Sequence, residues 1–243
     1  MTASDVRIAA DLDALSLSAA EAAATVIEAA VRRAGRCAIA LSGGHTPRTL
    51  HEQLATRFRD RVPWTHVHVY WGDERYVPPD DPRSNYRMAK ETLLDRVPCP
   101  AANIHPMPTH LPPERAASAY EATLRSAFDG AWPRFDLVFL GLGPEGHTAS
   151  LFPRSPALEE RVRWSVAVEV PAEPPQRLTL TLPVLARAAH VFFLVAGLDK
   201  ADVLRRVLND PPDLAACPAS ALRHAEGDVV WWCDARAAAH LGT

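Results

Sequence analysis

A mostly parallel α/β sheet with helices on both faces is predicted by three features of the sequence. Short, nearly uniform apolar runs such as Cys37–Leu41 and Val191–Ala196 have the composition of strands buried on both sides. These runs alternate with segments of helical composition, and βα alternation builds parallel sheets. The 22 prolines cluster between the two kinds of segment, where turns belong. In order, Val6–Ala10 reads as a short first strand. Ser18-Ala-Ala-Glu21 is a capping box ahead of an Ala-rich helix ending near Gly35. Cys37–Leu41 is a buried strand, and Thr46-Pro47 reads as an N-cap with Pro at the first helical position, opening a helix to about Asp60. Val67–Trp71 is a third strand. A polar, Pro-rich loop spans Gly72 to Arg83, and a helix is expected from Ser84 to Arg96. Pro98–Pro113 is the best linker candidate, although no composition shift marks a boundary, and residues 1–243 are expected to form one domain. Pro112–Phe128 is helical, and Phe135–Leu140 is a strand emptying into a glycine-rich turn, with His147 placed where a helix could begin. Trp164–Val170 and Leu178–Leu182 are extended, Val191–Ala196 is a buried strand, Asp199–Leu208 a helix, and Val229–Cys233 the last strand.

Charge is nearly balanced, 26 Lys+Arg against 29 Asp+Glu, so no global field draws the chain to nucleic acid or an anionic membrane. Any anion site must be built locally. Cys37, Cys99, Cys217 and Cys233 are far apart and form no C-x-x-C pair, which fits free thiols in a reducing cytoplasm better than disulfides or structural zinc. No apolar run approaching 18 residues and no secretory leader pattern is evident, so a soluble, cytoplasmic protein is expected, a monomer being favoured.

Four loops, each after a strand, carry polar groups at the strand ends where open α/β sheets place ligands. In Ser42-Gly-Gly-His-Thr-Pro47, Gly43 and Gly44 let backbone N–H groups approach a ligand, and the helix after Thr46 adds N–H donors at its positive end, which suits a phosphate; a plain capped turn is the alternative. In Trp71-Gly-Asp-Glu-Arg-Tyr76, Asp73, Glu74 and Arg75 form either an electrostatic cluster beside a substrate or a solvated turn, and Asn85 is within reach of the same cleft. The turn Gly141-x-Gly143-x-x-Gly146 leads to His147, with Glu145 beside it. An imidazole there can titrate near neutral pH as a general base must, although an isolated histidine is more often structural. Finally, Arg177 and Lys200 sit at element ends, able to give bidentate and point-charge contacts to a phosphate.

Three other patterns are weaker. The glycine spacing at 141–146 formally matches a dinucleotide fingerprint, with Glu169 downstream, but it is not on a first βα turn and Glu145 would oppose a pyrophosphate. Ala40-Leu-Ser42-Gly-Gly44 lacks the first glycine of a nucleophile elbow. His66-x-His68 would put two imidazoles on one strand face with no third ligand, so no metal is expected.

Leu41-Ser-Gly-Gly-His-Thr-Pro47, Gly72-Asp-Glu-Arg75, Gly141-Leu-Gly-Pro-Glu-Gly-His-Thr-Ala-Ser-Leu-Phe-Pro153 and Arg177-Leu-Thr-Leu-Thr-Leu-Pro183 resemble the 6-phosphogluconolactonase family, over residues 8 to 235. The resemblance implies a Rossmann-like three-layer α/β/α sandwich, no cofactor, and hydrolysis of a small sugar-phosphate lactone, 6-phospho-D-glucono-1,5-lactone. It departs at Glu145, where the family has Asp. His147 is implied as general base with Glu145 as its orienting partner, and Arg75 as a stabiliser of charge at the reacting end or on the phosphate. Gly43, Gly44, Thr46, Arg177 and Lys200 are assigned to phosphate, and Asp73 and Asn85 to shaping the cleft. The related deaminases carry Glu where this chain has Phe152, which favours hydrolysis over deamination; a non-catalytic sugar-phosphate sensor is a further alternative.

Overall fold

The computed structural model describes residues 5–242. Six strands form one parallel sheet in the order β1 (Asp5–Ala9), β9 (Asp228–Asp234), β8 (His190–Val195), β5 (Leu137–Gly141), β2 (Cys37–Leu41) and β3 (Val67–Trp71). The four inner strands are the near-continuous apolar runs expected of strands covered on both faces. The chain moves one way from β2 to β3 and the other way from β5 through β8 to β9, so the topology reverses between the neighbours β2 and β5. Right-handed crossovers then put α1 (Leu12–Ala34) and α2 (His45–Thr56), which pack together, on one face. The carboxyl ends of β2 and β5 open at this switch point, where such sheets bind ligands.

A second, three-stranded antiparallel sheet, β4 (Asp73–Arg75), β7 (Gln176–Leu180) and β6 (Ser165–Glu169), leans over that end. It is tied to the main sheet at Gly72, whose N–H donates to Leu41 O and whose carbonyl accepts from Leu180 N. A continuous apolar core runs from α1 through the parallel strands to β7.

Several local expectations change. Helix α1 starts six residues before the Ser18 box, because Asp11 Oδ1 accepts from Ala14 N at 2.8 Å and supplies the cap; the box lies inside the helix. The 23 residues of α1 are long and apolar enough to cross a membrane, contrary to the expectation of no such run, but Leu15, Ala19, Ala23, Ile27 and Ala30 are buried in the core. Helix α2 is capped by Gly44, not Thr46, and ends at Thr56. Helix α3 (Asn85–Thr92) is shorter than the expected Ser84–Arg96, and Ser84 is its cap, accepting from Arg87 N. The loop at 72–83 contains β4. Leu182 opens the short α5 (Leu182–Ala186) instead of ending a strand, and α6 (Ala201–Asn209) follows a 3₁₀ turn over Leu198–Lys200.

Residues 98–113 are no linker. Ile104 bridges to Val69, His105 N donates to Val69 O, and Met107 is buried, so this stretch lies along the outer edge of β3. Helix α4 (Pro113–Ala127) completes that edge: Tyr120 Oη accepts from Trp71 N at 2.9 Å and donates to Trp71 O at 3.2 Å. His66 belongs to a 3₁₀ turn before β3, and His68 Nδ1 meets His105 Nε2 at 3.3 Å, so the two expected imidazoles do not share a strand face.

His51 on α2 is fully buried against α3, with Nδ1 3.3 Å from Thr92 Oγ1 and Nε2 unpartnered. Burial, aided by the Arg48 charge, holds its pKa down at about 3, against 6.5 for an ordinary histidine. The unfolded chain therefore binds the extra proton, and stability falls as pH drops below about 6.5, by about 2–3 kcal/mol at pH ~4.5. Thermal unfolding of His51→Leu between pH 7 and pH 4.5 is expected to show a clearly smaller loss of Tm than the parent chain; equal losses would assign the acid sensitivity elsewhere.

Candidate active site

The carboxyl ends of β2, β5, β8 and β9 and the inner side of the small sheet enclose a cleft of about 700 Å³. It contains all ten residues singled out in the sequence except Glu145, which stands at its rim against His147. Two poles can be distinguished.

The first pole is cationic. After β2 the chain turns through Gly43 and Gly44, the latter at φ 108°, and enters α2 with no side-chain cap and no acidic residue in its first turn. Its leading N–H groups are left for a ligand, and Thr46, one position into the helix, lines the cleft instead of capping. Gly43 is required by packing: a Cβ there would overlap Asn85 Oδ1. Asn85 is held by its own backbone N, donating to Glu74 Oε1 at 2.7 Å, and by Nδ2, donating to Asp73 O at 2.9 Å.

Strand β4 alternates, so Asp73 and Arg75 face the cleft while Glu74 points toward α3. The Glu74 carboxylate accepts from the N–H groups of Arg75, Asn85 and Tyr86, two of them first-turn donors of α3, and from Ser84 Oγ. Burial pushes its pKa up to about 7, with Asp73 adding to the rise and the three N–H donors opposing it. Arg75 stands directly opposite Arg177 in the β4–β7 ladder. Arg177 is buried, with Nε donating to Pro174 O and Nη2 to Glu173 O; Arg75 Nη1 donates to Arg83 O while its Nε is buried without a partner. Burial and then the facing Arg75 charge both lower the proton affinity of Arg177. Like charges directly opposite on a ladder are unfavourable, and an anion between the two guanidiniums relieves the repulsion.

The second pole is His147. No helix begins there; the expected strand–turn–helix ends in a compact loop in which Gly146 N donates to Gly143 O, Gly143 N to His147 O, and Thr148 Oγ1 to Gly141 O. The imidazole lies flat on bare backbone, since a Cβ at Gly143 would collide with the ring. Its other face stacks on Phe152, with centroids 3.9 Å apart and planes 15° from parallel. The glycine pattern is thus the seat of a ring. Glu145 Oε2 stands 3.0 Å from Nδ1, at ion-pair distance but off the axis of an N–H bond, so the buried Nδ1 has no hydrogen-bond partner. With Nδ1 enclosed, Nε2 is the nitrogen left to the cleft. Burial lowers the histidine's pKa; Glu145 and then Asp73 pull it back up, and Lys200 adds to the lowering. The ring is neutral at neutral pH, the form a base requires.

Lys200, at the end of its 3₁₀ turn, lines the cleft with Nζ 3.4 Å from Asp199 Oδ2. Asp234 accepts from Gly197 N at 3.1 Å and fixes the start of that turn. The lining also includes residues that were not singled out as site residues from sequence, among them Ser150, Phe152, Asp234 and Arg236. The last two follow from the strand-end rule applied to β9; Ser150 and Phe152 lay inside the motif around His147. Ser42 donates only to its neighbour's carbonyl, Gly43 O, which gives no support to a nucleophile elbow.

Residues 10–231 match the family model described as glucosamine-6-phosphate isomerases/6-phosphogluconolactonase. The chain is 45% identical over 221 residues to a 6-phosphogluconolactonase of Synechocystis sp., covering 89% of this chain and 90% of that one. It is 39% identical over 246 residues to a 6-phosphogluconolactonase of Mycobacterium tuberculosis, covering 98% of each. The solved 6-phosphogluconolactonase of Trypanosoma brucei superposes with a TM-score of 0.86 at 30% identity, covering 100% of both chains.

Inorganic phosphate at about tenfold its Kd is expected to raise the Tm by about 3–5 °C. Arg177→Met should abolish most of that rise at matched ionic strength. An undiminished rise in the variant would remove the paired arginines from the anion site.

Proposed function

The chain belongs to the glucosamine-6-phosphate isomerase/6-phosphogluconolactonase family, and on that premise we propose that it hydrolyses 6-phospho-D-glucono-1,5-lactone to 6-phospho-D-gluconate, the lactonase step of the oxidative pentose phosphate pathway, with water activated by His147. The observation that carries this is a neutral imidazole, wedged between Gly143 and Phe152, in one cleft with a cationic pole that includes two facing arginines.

Gly43, Gly44, Thr46, Arg177 and Lys200 hold the phosphate, with Arg75 beside them across the ladder; Asp73 and Asn85 shape the wall between the poles. Anchoring the remote phosphate positions C1 for attack, so binding energy is converted into orientation. His147 Nε2 takes a proton from water as its oxygen bonds to C1, and the former carbonyl oxygen becomes an oxyanion. When the bond from C1 to the ring oxygen breaks, that oxygen takes the proton from Nε2 and the carboxylic acid is released. Glu145 and Asp73 favour the transient imidazolium. An ester carbonyl is electrophilic enough that no nucleophilic side chain is required. Phe152 offers the imidazole an aromatic face where the deaminase branch carries a carboxylate, which supports hydrolysis over ring-opening deamination. The cleft is complete within one chain, in support of a monomer, and four free thiols are compatible with a reducing cytoplasm.

His147→Ala is expected to lower kcat for lactone opening, after subtraction of the spontaneous reaction, by roughly 10²–10⁴-fold with the fold intact. In a parallel ammonia-release assay on glucosamine 6-phosphate, no activity is expected; turnover there would transfer the chain to the other branch. Because the imidazole's pKa is lowered, kcat/KM should hold through neutral pH and fall only below about 6.5. Arg177→Ala and Lys200→Ala should raise KM for the phosphorylated lactone far more than for an unphosphorylated one, and equal effects on both would end the phosphate assignment.

A further inference from the structure

We propose that Ser150 is a positioning residue for this reaction: its buried hydroxyl fixes the Asp73 carboxylate beside His147 and so maintains the negative charge that the imidazolium needs while water is being deprotonated. The inference rests on His147 acting as the base.

Ser150 is 1% exposed and Asp73 6% exposed, and both line the cleft with His147. Ser150 Oγ donates to Asp73 Oδ2 at 2.7 Å, while the other oxygen, Oδ1, has only a 3.4 Å approach from Asn85 Nδ2. The serine is therefore the strong donor on this carboxylate, and a buried carboxylate stays charged only where donors or cations favour the anion. The backbone also directs the hydroxyl. Ala149 adopts φ 49°, a left-handed conformation uncommon for a residue with a side chain, and Ser150 N donates to Thr179 Oγ1 on β7. Three residues after the base, the chain is thus pinned to both β4 and β7. A plain loop closure would need neither the strained alanine nor a hydroxyl at this position.

The charged groups around the pair are few. His147 faces Glu145 on its own loop, Asp73 on β4 and Lys200 ahead of α6; Asp73 in turn has Glu74 beside it and Arg177 nearby on β7, opposite Arg75. Of the two acids that favour the imidazolium, Glu145 is partly solvent-exposed and Asp73 is buried, so the Asp73 field is the less screened. During hydrolysis neither Ser150 nor Asp73 takes part in the proton transfer. The proton of water moves to Nε2 and later to the leaving ring oxygen.

Removing the hydroxyl leaves Asp73 short of a donor, weakens its charge beside His147 and lowers the proton affinity of the imidazole. Ser150→Ala is expected to lower kcat about tenfold to hundredfold, to leave KM within about twofold, and to move the acid limb of the kcat/KM profile to lower pH. Ser150→Cys, which fills the same space with a weak donor, should fall between the alanine variant and the parent chain, and it carries the test if the alanine variant does not fold. Asp73→Asn should shift the acid limb in the same direction, and Ser150→Ala combined with Asp73→Asn should be no slower than Asp73→Asn alone. A general loosening of the loop would instead lower the rate at every pH without moving the limb. The proposal is overturned by an unmoved acid limb, by a cysteine variant as fast as the parent, or by multiplicative losses in the double variant. His147→Ala separates the two levels: if it retains the parental rate, the base assignment fails and this inference with it. If it is inactive while Ser150→Ala behaves as the parent, only the role of Ser150 is lost.

Discussion

Three consecutive charged residues, Asp73, Glu74 and Arg75, are drawn out of bulk water on one short strand, and the geometry of the cleft depends on satisfying them. Unpaired buried charge costs several kcal/mol, so each must find partners from the elements around it. Asp73 takes them from Ser150 and Asn85, Glu74 from the first turn of α3, and Arg75 from the carbonyl of Arg83. One strand thereby sets the position of the His147 loop, the α3 terminus and the segment reaching back to Arg83. Because the side chains alternate, the same strand serves the cleft with two residues and the scaffold with the third.

The cleft is divided accordingly. The cationic pole is assembled from the β2–α2 turn, the small sheet and Lys200, whereas His147 comes from the single loop after β5. On the proposed reading, phosphate recognition and proton transfer rest largely on separate pieces of chain, held in register through Asp73. The dominant influence on His147 is desolvation, and the two acids near it act as counterweights that keep its proton affinity from falling further.

Much of this was legible in the sequence. Five- and six-residue apolar runs identified the parallel strands, and glycine–histidine clusters at their ends identified the cleft. What escaped was structure that only tertiary contacts create. Asp73-Glu-Arg75 has no strand propensity and becomes a strand because β7 pairs with it. Ser18-Ala-Ala-Glu21 is a sound local signal that loses to Asp11, where the helix already has its cap. Thr46-Pro47 looks like a helix start because the chain has a threonine before a proline; the helix begins two residues earlier, from Gly44, with no side-chain cap and its donors turned to the cleft. The spacing Gly141-x-Gly143-x-x-Gly146 records a close approach to bare backbone, and what approaches is an imidazole where a nucleotide motif would have a pyrophosphate.

The Tyr120 phenol has a consequence beyond the cleft. By meeting both the N–H and the C=O of Trp71 it stands in for a seventh strand, and residues 104–105 do the same further along β3. At the opposite border, β1 presents the paired charges of Asp5 and Arg7. Exposed ladders are templates for runaway association between chains. Here one margin is plugged by a side chain and a loop and the other is guarded by ions, which suits a catalyst that must stay dispersed when crowded.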